Sequence, residues 1–124
     1  MITPMAQAAI AALNDICFTG EEQRMKEYTL SEEQKKELLG KLEAAGLIIL
    51  TNPERPQAIS SYKPARKSSE ISLLNILEAT GEHLNCNYPT TEQFYMRYGK
   101  AAQKLGVVNH MTRMYLQEIK LYEL

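Results

Sequence analysis

The chain has 124 residues, 44% of them hydrophobic, enough for one domain with a real core and too little for two independent ones. Charged residues make up 23% and nearly cancel to a net charge of −1, so no overall field draws the protein to nucleic acid or to an acidic membrane, and any such affinity has to come from a local patch. The apolar runs fall short of the roughly 18 to 20 residues of a membrane helix, Met1 to Leu13 lacks a basic stretch followed by a dense apolar block, and two cysteines, Cys17 and Cys86, are too few for a disulfide scaffold, so a soluble cytoplasmic protein is expected.

Thr3 ahead of Pro4 places an N-cap residue before a proline at the first helical position, and Ala9, Ile10, Leu13, Ile16 and Cys17 then recur at helical spacing up to Gly20. This predicts a first helix with a buried face, on which the Cys17 thiol behaves as a small hydrophobe. EEQRMKEY at 21–28 offers only Met25 and Tyr28 as apolar anchors, so a helix there is short and lightly packed. Ser31 followed by Gln34 makes a capping box, each side chain satisfying a free backbone N–H of the other's turn. Leu38, Leu39, Leu42 and Ala45 line one face of the helix that follows, and Gly46 terminates it. Advancing about 100° per residue puts Glu33, Lys36, Glu37, Gly40 and Ala44 opposite the leucines, where a partner would meet them.

LIIL at 47–50 reads as a short buried strand, NPERPQ at 52–57 carries two prolines that forbid regular structure, and AISSY at 58–62 is the candidate return strand. A two-stranded hairpin with a proline-stiffened tip is expected. KPARK at 63–67 sets Lys63, Arg66 and Lys67 beside it with no acid among them. Ser72 caps a short helix from 73 to 80, closed by Gly81. From Thr90 on, Phe94, Tyr98, Ala101, Leu105, Val108, Tyr115, Ile119 and Tyr122 recur every three or four residues, interrupted at Thr112, while Gly106 and Asn109 weaken the middle of this long helix. A helix of that length outruns a small core. Its far face calls for the same helix of a second chain, with Phe94, Tyr98, Leu105, Val108, Tyr115 and Ile119 as dimerisation residues; the competing reading is a ligand cavity lined by Tyr95, Met96 and Tyr98.

The order is helix, weak helix, capped helix, hairpin, short helix and long helix: a mainly α chain with a small β-hairpin, as in a winged helix-turn-helix with a C-terminal dimerisation helix. The run LSEEQKKELLGKLEAAGLI, followed after the hairpin by SSEISLLNILEATGE, resembles the Rrf2 family of bacterial transcription regulators, and AQAAIAALNDI at 6–16 is similar to that family's first helix. The resemblance implies a winged helix-turn-helix domain over 1–82, with a recognition helix at 31–45 and a wing at 51–67. A loop and dimerisation helix over 83–124 would belong to the same compact unit. It departs from the family in a shorter interval before Ser31, in a wing that keeps only Tyr62 of a glycine-rich turn, and in having Cys86 alone where iron-sulfur members carry three cysteines. That ligand count excludes a cluster held by one chain, and no cofactor is expected.

A recognition helix sends its N-terminal side chains into the major groove while cations near the wing hold phosphates. Ser31, Gln34 and Lys36 are the candidates for the groove; Arg55, Lys63, Arg66 and Lys67 are those for the phosphates. Glu32 and Glu33 suit the helix dipole but would approach a polyanion. The plain structural readings are an amphipathic packing helix for 31–45 and a solvated loop for KPARK. His83 and Cys86 have metal-like local spacing, and a dimer would bring two such pairs together as a zinc site or a redox-sensitive thiol pair; His110 reads as an ordinary surface or interface histidine. No nucleophile elbow, phosphate loop or paired His-carboxylate motif points to an enzyme. Two functions are therefore expected in competition. One is a homodimeric regulator on a palindromic double-stranded DNA site. The other is a dimeric interaction or sensing module that kept the scaffold and lost DNA binding.

Overall fold

The structure, a computed structural model, describes residues 3–81 and 96–124. It is mainly helical, with one small two-stranded antiparallel sheet. Helix α1, Pro4–Asn14, starts where Thr3 Oγ1 accepts the Ala6 N–H at 3.2 Å, and Pro4 lacks the N–H that the first turn would leave unpaired. Ala6, Ala8, Ala9, Ala11, Ala12 and Leu13 are all buried, so α1 is the central element and its small side chains let neighbours approach closely. The helix widens into a π-helical turn, Asp15–Thr19, which ends at Gly20 with φ 72°. There Gly20 N–H donates to the Asp15 carbonyl at 2.7 Å.

The 21–28 segment forms a single 3-10 turn, Arg24–Glu27, with Met25 fully buried. What holds it is Asp15, whose buried carboxylate accepts the backbone N–H groups of Gln23 at 3.0 Å, Arg24 at 2.9 Å and Met25 at 2.9 Å. Helix α2, Glu32–Ala44, begins with the expected reciprocal box: Gln34 N–H donates to Ser31 Oγ at 3.2 Å and Ser31 N–H to Gln34 Oε1 at 2.9 Å. It ends at Gly46, φ 76°, where Gly46 N–H reaches the Glu43 carbonyl and Leu47 N–H the Leu42 carbonyl, and Leu47 then drops into the core.

Strand β1, Ile48–Leu50, pairs antiparallel with β2, Tyr62–Pro64, in the register Ile48 to Pro64, Ile49 to Lys63 and Leu50 to Tyr62. The return strand thus lies later than AISSY. Residues Ile59–Ser61 turn as a 3-10 segment because the Ser61 carbonyl is taken by Thr51 N–H and Thr51 Oγ1, which closes the loop ahead of the ladder. Tyr62 Oη donates to the Pro56 carbonyl at 2.7 Å and pins the proline-rich tip back onto the strand. Helix α3, Leu73–Ala79, carries a second capping box from Ser72 and Asn75 and ends before Gly81, φ 75°.

Helix α4, Gly99–Glu118, is 20 residues long and unbroken at Gly106 and Asn109. The helix stops earlier than the apolar spacing predicted, because Ile119 to Leu121 leave it to bond the backbone at the start of α3. Leu73 N–H donates to the Ile119 carbonyl at 2.8 Å, Leu121 N–H donates to the Ile71 carbonyl at 2.9 Å, and Leu121 is fully buried. One core gathers α1, Met25, Leu38, Leu39, Leu42, Ile48, Tyr62, Ile76 and Leu121; a second joins Ala6, Leu73, Leu74, Leu77 and Leu116. No helix among the described residues is long and apolar enough to cross a membrane.

Candidate nucleic-acid interface and apolar helix face

The leucine face of α2 is buried, and Glu33, Lys36, Glu37, Gly40 and Ala44 are exposed on the other side, as the 3.6-residue period requires. Two of the α2 lysines are occupied: Lys35 pairs with Glu22 at 3.0 Å, and Lys41 with Glu37 at 3.6 Å. Lys36 takes part in neither pair. Ser31 and Gln34 are exposed too; Ser31 Oγ and Gln34 Oε1 both accept within the capping box, which leaves the Ser31 O–H and the Gln34 amide nitrogen as outward donors. Glu32 and Glu33 stand exposed in the same turn. Over the whole of α2, four acids oppose three lysines.

Charge has the opposite balance on the hairpin. Between 51 and 67, Arg55, Lys63, Arg66 and Lys67 face Glu54 alone, and all four basic side chains are exposed. Ala65 N–H donates to the Leu47 carbonyl at 3.1 Å, which fixes Arg66 and Lys67 at the base of the hairpin, just past the C-terminal end of α2. The candidate groove residues lie at its other end. Along the helix axis the groove candidates stand between about 12 Å, for Lys36, and about 20 Å, for Ser31, from the C-terminal end of α2. The expected site residues therefore form two clusters, one at each end of α2, with Arg55 apart in the hairpin tip.

Burial moves the Tyr62 phenol above its usual range, and the Glu43 carboxylate adds to the shift; burial likewise pushes the Cys17 thiol up, which keeps it protonated and unreactive. Neither group is poised for chemistry.

On α4, Asn109, Thr112, Arg113 and Leu116 form the side turned to the protein's own core, and Arg113 pairs with Glu78 of α3 at 3.6 Å. The expected dimerisation residues Tyr98, Leu105, Val108 and Tyr115 are exposed, whereas Ile119 packs half-buried against the α3 cluster. Phe94 and Tyr95 lie outside the described residues, as do His83 and Cys86; Met96, Tyr98 and His110 are exposed. Among the described residues no three His, Cys, Asp or Glu side chains come together to hold a metal ion. Sequence spacing overlooked Val107, Met111 and Met114, which are exposed at 58%, 47% and 46% and join Val108 and Tyr115 in one apolar surface. Their signal was present as a second helical repeat, four then three residues apart, beside the stripe that was read. Compared with known protein families, with curated proteins and with solved structures, the chain matches none of them.

Proposed function

We propose that this protein is a homodimeric DNA-binding transcription regulator of winged helix-turn-helix type, with α2 entering the major groove and the hairpin cations on the flanking backbone. The observation that carries this reading is the segregation of charge. Four exposed cations lie on 51–67, next to a capped helix whose outer face is open, in a chain of nearly zero net charge. Phosphate contacts fix register on a duplex, and base edges are then read by the helix they orient. Lys36, the Gln34 amide nitrogen and the Ser31 O–H are the groups that would read bases; Arg55, Lys63, Arg66 and Lys67 would hold phosphates. A palindromic site recognised by two copies would place the two α2 helices about 34 Å apart.

A second reading, an interaction module on the same scaffold without DNA binding, is favoured by the single 3-10 turn where a supporting helix would stand and by the exposed Glu32 and Glu33. Fluorescence anisotropy with labelled genomic fragments at two salt concentrations separates the two. The regulator binds with an affinity whose logarithm falls with log salt by about 0.9 per phosphate held, and Lys63→Ala lowers that slope by about one such step. Binding that ignores salt, or survives Lys63→Glu with Arg66→Glu and Lys67→Glu, leaves the interaction module.

A further inference from the structure

The geometry points to a second copy of this chain docked antiparallel on α4, with a two-fold axis passing beside Met111 and Lys104 of each copy paired with Glu118 of the other. This inference rests on the dimer in the proposed function and supplies its register. The surface in question is turned away from the arc of α4 that packs on α3. At about 100° per residue, Val107, Val108, Met111, Met114 and Tyr115 cover an arc of roughly 120° on the far side from Arg113 and Leu116. Tyr115 is 63% exposed and Val107 58%. Together these five side chains present on the order of 500 Å² of apolar surface, in the upper part of the range found for the largest patch of a monomer, a size that is often functional. Two such faces joined reach about 1,000 Å², the lower bound of a specific interface.

Two features set the direction and register. Met111, Met114, Tyr115 and Glu118 line a groove, and their spacing is the four-residue diamond that accepts one knob from a facing helix. A two-fold axis at Met111 brings Val107 and Val108 of the second copy over the middle of that diamond, where a short branched side chain fits between flexible methionines. The same axis lays exposed Lys104 against exposed Glu118 twice over. A parallel pairing sets Lys104 against Lys104 and Glu118 against Glu118, and the charges repel.

Sedimentation equilibrium on the full chain tests this. The wild type should be a dimer at micromolar concentration; Val107→Asp should make it monomeric while circular dichroism stays unchanged, since the side chain is exposed. Lys104→Glu or Glu118→Lys alone should weaken the dimer about tenfold, and the two together should restore it to within about threefold. A dimer that the double reversal fails to rescue overturns the register, and a wild type that stays monomeric overturns the docking face altogether. DNA affinity is measured separately on the wild type, so its absence removes the regulator and leaves the α4 pairing standing.

Discussion

Asp15 performs a capping role from a distance. Its carboxylate gathers the three backbone donors of residues 23 to 25 that a turn of helix would leave open, and a buried anion is tolerable only because those N–H groups surround it. Asp15→Ala strands the donors inside the protein and should cost about 3 kcal/mol in urea denaturation; Asp15→Asn keeps one acceptor oxygen and should cost about half of that. In the sequence this residue reads as an ordinary polar break in an apolar helix, since its partners follow eight to ten positions later in a segment with no strong periodicity. Tyr62 carries a pH dependence. Its phenol is held above the ordinary value near 10, so the neutral form is favoured in the folded state, and the associated stability is complete below about pH 10 and is lost as pH rises toward the folded value. Tyr62→Phe should flatten that alkaline decline and, through loss of the bond to the Pro56 carbonyl, cost about 1 kcal/mol at neutral pH.

Helix ends were the most legible elements, because a cap is decided by residues three or four apart. Ser31 with Gln34, Ser72 as a cap, and the glycines at 46 and 81 all stand where their spacing placed them. Ser31→Ala should lower stability by about 1 kcal/mol, read as a shift in the urea midpoint with an unchanged slope. The hairpin was legible in kind but not in register. Which residues pair is set by the Ser61 carbonyl closing on Thr51 and by Tyr62 reaching Pro56, contacts between positions that no short pattern links. Helix α4 presented apolar side chains on two arcs, so the buried one could not be told from the exposed one by periodicity. The core takes Leu116, about 100° round the helix from Tyr115, the residue that lies on the apolar spacing. Leu121, beyond the helix, then enters the main core, and Leu121→Ala should cost about 2 to 5 kcal/mol although it lies in no long element.

For the whole molecule, a near-zero net charge conceals a division of labour: the four hairpin cations face one acid, α2 is slightly acidic, and α4 offers an apolar surface flanked by Lys104 and Glu118. Such a chain gains affinity for a polyanion by doubling its hairpins, which ties any nucleic-acid binding to self-association. The proposed pairing of α4 is testable without DNA. When folded protomers dimerise and unfolded chains do not, a tenfold rise in protein concentration adds about 1.4 kcal/mol per dimer and should raise Tm by about 3 °C in calorimetry. A melting point that ignores concentration leaves the α4 face without its second copy.

The backbone bonds that join residues 119 and 121 to 73 and 71 also govern the order of assembly. Leu121 fills a site in the main core that α1 lines, so residues 3–81 complete their interior only when the stretch after α4 has been made. Because α4 precedes Leu121 in the chain, its exposed apolar face has already been made when the core closes.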